Sequence, residues 1–590
     1  MIRPSAHSLT PHTGAGAGGI ATAARLAKAG FAVTVLEKNG FTGGRCSLIR
    51  HEGWRFDQGP SLLLLPKLFA EAFHDLDTTL EGEGVELLRC PTNYAVWFAD
   101  GERFELSTDL ARMKAQIERW EGKDGFRRYL AWLREAHNHY ELSVRDVLHE
   151  NFTRFRDVLS LRFVATGLRI HPLHSIWGRA CKYFWTERLR RVFTFATMYM
   201  GMSPFEAPAT YSLLQYTELA EGIWYPRGGF HAVLDALVRV GERLGVEYRL
   251  HTAVKQVVTG PDGTTVRGVE IEGTGEVLEA DVVVINADLV YAYSNLFPQK
   301  KKKNNNNNPD TARYGKSLRG KAGSCSSISF YWAVNRKCAE LQTHNIFLAD
   351  EYRESFDAIF QRQDLPREPS FYINVPSRID PTAAPDGCDA VIALVPTGHL
   401  RDSQGFAPPG DDGLPRELDW DALVDRARRA VLETIKTRTG CELTVSKESI
   451  VHEEVNDPHT WEAKFNLDKG AILGLSHSFL NVLSFRPGTR ARGFRGAYFV
   501  GASTHPGTGV PIVLAGSRLT AEQVLDDLGM PVPWRGAPSK IHDQGVPQDR
   551  STAQLDRLTP PRSGAAILAL VVAMVLWFVL YVLYWRPVHF

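Results

Sequence analysis

The chain has 590 residues, a formal net charge of +1, 44% hydrophobic and 23% charged residues. That length calls for several structural units, the balance suits a globular chain with a large core, and the near-neutral charge gives no sign of nucleic acid or of an acidic partner. Seven scattered cysteines without a CxxC pair argue against a disulfide framework or structural zinc, and fit a reducing compartment. No apolar run of the secretory-signal kind opens the chain.

The first readable unit is the string GAGAGGIATAARLAKAGFAVTVLEK at residues 14–38. An Ala-rich helix from about Ile20 is expected to stop at Gly30, a good C-cap residue, and a β-branched strand follows. Gly14, Gly16 and Gly19 open the helix with GxGxxG spacing, and Glu37 ends the strand 18 residues after Gly19. Glycines there allow a tight turn and let backbone N–H groups approach a pyrophosphate. The helix N-terminus stabilises that charge, and the acid can bond ribose hydroxyls. A dinucleotide site is expected. The strand that should precede it, SLTPHT at residues 8–13, is polar and holds a proline, poor material for a central strand. Either the start of the chain is wrongly assigned or abnormally spliced, or the first strand is missing and cofactor binding is impaired. Gly43, Gly44 and Arg45 then form a Gly-Gly-Arg turn, suited to close backbone approach and to a guanidinium beside a phosphate.

Residues 91–224 are rich in aromatics and helical spacing, and residues 154–191 within them carry nine Lys/Arg against Asp157 and Glu187. That face is expected either to dip into a lipid interface or to be a solvated helix face. Residues 246–288 hold short strands around the turn Gly260-Pro261-Asp262-Gly263 and end in the run DVVVIN. KKKKNNNNN at 300–308 reads as a solvated loop. Residues 311–484 alternate strand-like and helical stretches, and 531–562 read as a linker rich in Pro, Gly, Ser and Asp. Residues 564–585, GAAILALVVAMVLWFVLYVLYW, run for 22 residues without a charge. As a helix they would extend roughly 33 Å, enough for a bilayer core of about 30 Å. The expectation is a single-pass C-terminal tail anchor, on the endoplasmic reticulum, with the catalytic part cytosolic.

Four motifs in order carry a family resemblance: the fingerprint with FTGGRC at 41–46, RFDQGPS at 55–61, WYPRGGF at 224–230, and YFVGASTHPGTGVP at 498–511. Together they resemble the carotenoid desaturases over roughly residues 14–530, and the C-terminal anchor resembles the fungal phytoene desaturases. The resemblance implies an α/β fold: a Rossmann-type FAD-binding domain assembled from separated segments, a mixed α+β substrate domain and a C-terminal transmembrane helix. The FAD parts fall at 1–90, 225–310 and 485–530, a helical substrate or membrane-facing region at 91–224, and the substrate domain at 311–484. A linker at 531–563 precedes the span. FAD is the implied cofactor, although the fingerprint alone does not exclude NAD. By the same analogy Val254 meets the adenine end through its backbone, and Gly501, Thr508, Gly509 and Val510 of the last motif approach the flavin.

The implied activity is stepwise dehydrogenation of phytoene through ζ-carotene and neurosporene to lycopene or beyond, with oxygen or a quinone as electron acceptor. So apolar a substrate needs a long apolar channel, for which Tyr183-Phe184-Trp185 and residues 193–202 are candidates beside a plain core role. Arg156 and Asp157 resemble a charged pair of the bacterial relatives and are the candidate catalytic residues, with a solvated or structural pair as the alternative. His505 has a capping or packing role as its alternative. No metal constellation is legible. Competing readings are another flavin-fold polyene or prenyl oxidoreductase (isomerase or saturase), an amine oxidase, and a non-enzymatic prenyl-lipid carrier.

Overall fold

A computed structural model describes residues 9–152, 166–167, 169–298, 310–401, 418–446 and 449–535. Three stretches far apart in the chain build one parallel sheet. Strand β1 (Leu9–Thr13), helix α1 (Ala17–Lys28) and strand β2 (Ala32–Leu36) come first. Strands β3 (Glu247–Arg249) and β4 (Val283–Ile285) follow, then strand β5 (Ala497–Phe499) and helix α2 (Val510–Leu528). The strand order is β5-β4-β1-β2-β3, with every described neighbour pair parallel. This is the assembly from separated segments that the resemblance implies.

Small side chains explain α1. Its residues from Gly18 to Ala27 are all buried, and the helix packs against α2 and the helix His231–Arg243. A helix covered on all sides needs alanine and glycine to let its neighbours approach. Its one buried cation, Arg25, is matched: Nε donates to Asp75 at 3.0 Å and Nη1 to Ser517 Oγ at 2.8 Å. Without these partners a buried guanidinium would destabilise the fold. Gly30 closes the turn at φ +94°, where a side chain would be strained. The helix begins at Ala17, three residues before the expected Ile20.

The polar segment before the fingerprint is a strand, so the alternative of a missing first strand is overturned. β1 pairs with β2 from Leu9 to Thr13, and with β4 at His12 and Thr13. The Gly14 N–H goes to Leu36, so by alternation the Pro11 nitrogen faces β4, just outside the registered pairs. The proline therefore removes no rung of the described ladder. Polar side chains remain an unfavourable filling. Thr10, His12 and Thr13 are buried, and neither hydroxyl nor either His12 ring nitrogen has a partner of hydrogen-bond geometry.

A second, seven-stranded sheet runs in the order 450–456, 326–334, 389–397, 371–374, 344–347, 94–97, 103–106. Ser326–Val334 is buried at every position, and the helix Trp420–Thr439 covers this part of the sheet with Leu423, Ala427, Val431 and Ile435, one residue per turn. Beside it lies a cluster of Tyr94, Tyr129, Trp132, Phe184 and Phe193, drawn from the aromatic helical region.

The expected transmembrane helix is corrected here. No helix among the described residues is long and apolar enough to cross a membrane. Residues 564–585 lie outside the described residues, so neither the tail anchor nor the localisation built on it has structural support. The low-complexity run at 300–308 and most of the proposed linker also fall outside.

Candidate functional site

The C-terminal ends of β1 and β4 open into a cavity of about 650 Å³. Gly14 and Gly16 of the fingerprint form part of its floor. Gly14 has φ +99°, and a Cβ on Gly19 would sit 2.1 Å from the Gly14 carbonyl oxygen. A Cβ on Gly16 would sit 2.6 Å from Asn286 Oδ1. Gly16 caps α1 without a side-chain bond, so the first N–H groups of the helix stay available. Gly14 and Gly16 line the cavity, whereas Gly19 lies behind them and lets helix and strand meet.

Glu37 is buried at the same mouth. Its Oε2 accepts the Ala15 N–H at 2.8 Å, and Oε1 accepts both N–H groups offered by Asn39 at 2.9 Å. The acid thus braces the glycine turn as well as facing the cavity. Gly43 and Gly44 turn the chain with φ +93° and +55°, and Gly43 donates to the Ala15 carbonyl at 2.7 Å. Arg45 follows, half-buried on the cavity wall, and its side chain makes no hydrogen bond or ion pair with the described residues. Burial lowers its pKa, with Cys46 and Asp288 opposing. Burial raises the Asp288 carboxyl to about 6.

The closing motif adds a second helix N-terminus. Gly509 (φ +96°) caps α2 without a side-chain bond, and Gly501, Thr508, Gly509 and Val510 all line the cavity. Thr508 N–H donates to His477 Nε2 at 3.1 Å. Val254, at the start of the strand Val254–Thr259, lines the cavity too. A cavity with two uncapped helix ends, an unpaired guanidinium and glycines at the closest approaches fits an anionic dinucleotide.

The two middle motifs are locked to each other. Asp57 accepts the Tyr225 hydroxyl and the Phe230 N–H, each at 2.6 Å. Arg55 pairs with Asp380 at 2.6 Å, and the same carboxylate takes the Gly228 N–H at 2.8 Å. Gly59 passes so close to Arg45 that a Cβ would lie 2.4 Å from its carbonyl oxygen.

The far part of the cavity is apolar, with Phe195, Met198, Tyr199, Leu214, Ile346 and Phe356 among its lining. Residues 193–202 therefore divide: Phe195, Met198, Tyr199 and Met200 face the cavity, whereas Phe193 stacks on Phe184 at 4.3 Å in the core. Trp185 is 65% exposed beneath the Arg128 guanidinium.

Arg156 and Asp157, the expected catalytic pair, lie outside the described residues. Within the basic stretch, Arg179 is held by Glu135, Arg188 by Asp100 and Arg191 by Glu187. Two acids from elsewhere, Glu135 and Asp100, thus offset part of the charge seen along the sequence, and Glu187 of the stretch itself offsets one more. His505 packs against Phe152, and Nε2 meets the Glu150 carbonyl at 2.9 Å.

Three features escaped the sequence. Asn286, the last residue of DVVVIN, donates to the Val500 carbonyl at 2.8 Å and ties β4 to the closing motif. His477 packs under Gly507. Glu135, His139 and His171 place their ligating atoms within 4.8 Å of one another, but Arg179 and Tyr183 already hold the Glu135 carboxylate, which makes the group an ion-pair site. Only the i, i+4 spacing of Glu135 and His139 was visible in the sequence.

Comparison with known proteins agrees with this geometry. Residues 17–307 match the family described as flavin containing amine oxidoreductase. An oxidoreductase from Methanosarcina mazei superposes with a TM-score of 0.55 at 16% identity, over 87% of this chain and 100% of that one. Family match and site define an FAD-dependent oxidoreductase. The phytoene desaturase of Neurospora crassa is 62% identical over 530 residues, 88% of this chain and 86% of the Neurospora protein. The zeta-carotene-forming phytoene desaturase of Myxococcus xanthus is 36% identical, over 87% of this chain and 93% of its own length. The chain belongs to the phytoene desaturase family.

Proposed function

We infer that this chain dehydrogenates phytoene stepwise, through ζ-carotene and neurosporene to lycopene or beyond, using FAD. The observation that carries the reading is the single cavity. One part is the glycine and guanidinium cradle of an anionic dinucleotide, and the other is an apolar chamber fit for a hydrocarbon without polar handles. Bound FAD supplies a two-electron hydride acceptor.

Gly14, Gly16, Gly43, Gly44 and the N-terminus of α1 would hold the pyrophosphate, with Gly19 keeping α1 tight against the sheet. Arg45 would neutralise the phosphates. Glu37 would receive ribose hydroxyls, and the Val254 backbone would meet the adenine. Gly501, Thr508, Gly509 and Val510 would approach the flavin ring. Residues 1–90, 225–310 and 485–530 are assigned to the cofactor, and 91–224 and 311–484 to the substrate. The apolar walls orient the chain and exclude water.

Expression in a phytoene-accumulating bacterium tests the reading. Phytoene should fall while more unsaturated carotenes appear. An unchanged carotenoid profile with flavin-loaded protein present would overturn it.

A further inference from the structure

The apolar part of the cavity is backed by something a hydrocarbon does not call for. Glu218, in the turn Thr217–Glu221, is fully buried. The Tyr94 hydroxyl donates to Oε1 at 3.0 Å, and Gln215 Nε2 donates to Oε2 at 3.0 Å. No described lysine or arginine pairs with it. The groups packed nearby are Tyr94 from the strand Tyr94–Trp97, Tyr199 from the turn Phe195–Met200, Tyr372 and His344 from neighbouring strands, and Gln215 from its own helical turn. Burial holds the His344 imidazole down to about 3, so it brings no positive charge. Burial also raises the Glu218 carboxyl to about 8, against the Tyr94 hydrogen bond.

Tyr199 connects this acid to the cavity. It lines the wall, and its ring stacks on Tyr94 with centroids 6.3 Å apart and 27° between planes. Its hydroxyl is buried and faces the Tyr94 hydroxyl, close enough to interact with it though outside full hydrogen-bond geometry, and has no other polar partner among the described residues. Burial first, and Glu218 next, raise the pKa values of both phenols well above the usual range. A glutamine would tie the turn to the strand equally well. The acid adds the capacity to take up a proton.

We propose that Glu218 receives the proton released in each desaturation, acting as a positioning residue through Tyr199 and Tyr94. This rests on the desaturation reading above. One carbon of the reacting pair gives its hydrogen and both bonding electrons to FAD. The neighbouring carbon loses a proton, and its C–H electron pair becomes the second bond of the C=C. That proton goes to the Tyr199 oxygen, the Tyr199 proton passes to Tyr94, and the Tyr94 proton reaches the Glu218 carboxylate, which ends as a neutral acid. A relay of this kind contributes on the order of a hundredfold or more.

The test uses full-length holoprotein with phytoene in liposomes, without air, and follows flavin reduction against pH. The wild-type rate should rise through about 8 as the carboxylate forms. Glu218→Gln should slow the step about a hundredfold and remove that rise. Tyr199→Phe, which deletes one oxygen whose polar neighbour is the Tyr94 hydroxyl, should do the same and keeps the test decisive if Glu218→Gln fails to fold. Infrared spectra of the resting holoprotein should show a protonated carboxylic acid band that vanishes through the same pH and is missing from Glu218→Gln. A Glu218→Gln protein with wild-type rate, or a slowed one with the wild-type pH profile, would overturn the proposal. Wild-type protein that leaves its flavin oxidised would overturn the desaturation reading, and this inference with it.

Discussion

His12 makes the first strand a measurable weakness. It lies in the middle of the cofactor sheet with no exposure, and neither ring nitrogen reaches full hydrogen-bond geometry, the Gly19 backbone being the polar group the ring approaches. His12→Val keeps a similar bulk, suits a parallel strand and removes both buried polar atoms. Each unpaired atom costs about 1–3 kcal/mol, and the change of shape returns up to about 1.5 kcal/mol. The net expectation is a gain of about 2 kcal/mol. Acid enlarges it. Burial holds the folded His12 down to about 3, against the ordinary 6.5 of a solvated imidazole. Below about 6.5 the unfolded chain binds a proton that the folded chain does not. Folding is therefore weakened progressively as pH falls toward the folded value. At pH near 5.5 this adds about 1.4 kcal/mol to the difference between the two proteins. Urea denaturation at pH about 7.5 and about 5.5 reads both terms, and flavin retention should rise with stability because β1 leads directly into Gly14. Equal midpoints, or a gap that does not widen on acidification, would refute the reasoning.

Gly16→Val should abolish flavin binding, because even a Cβ meets Asn286 Oδ1 at 2.6 Å; flavin absorbance equal to wild type would show that the site lies elsewhere. Arg45→Ala should weaken FAD binding by about 1.5–3 kcal/mol, roughly ten- to hundredfold in Kd, with a smaller dependence on salt, as titrated by fluorescence. Asp380→Ala should destabilise the fold by about 3–5 kcal/mol in urea, because it leaves the buried Arg55 without its carboxylate, with neutral Thr382 and Tyr225 beside it, and removes the acceptor of the Gly228 N–H. A shift below about 1 kcal/mol would mean that the pair is not what joins those motifs.

The sequence by itself determined what depends on local geometry. GxGxxG spacing, a stop at Gly30, a β-branched strand and an acid at Glu37 are statements about backbone angles and helix ends, and they hold within a few residues. The four motifs likewise marked out Arg45, Thr508 and Gly509, all of which line the cavity. Other matters were decided only by tertiary structure. β1 becomes a strand because β2 and β4 offer it backbone partners on both sides, although its side chains argue against burial. Which aromatics of residues 193–202 face the cavity was invisible, because a core ring and a cavity ring look alike in composition. Asp57 with Tyr225, Arg55 with Asp380, and Glu218 with Tyr94 pair residues more than a hundred positions apart. Such pairings leave no periodic trace in the chain. A buried carboxyl reveals its chemistry only when the fold sets its neighbours and removes the water around it.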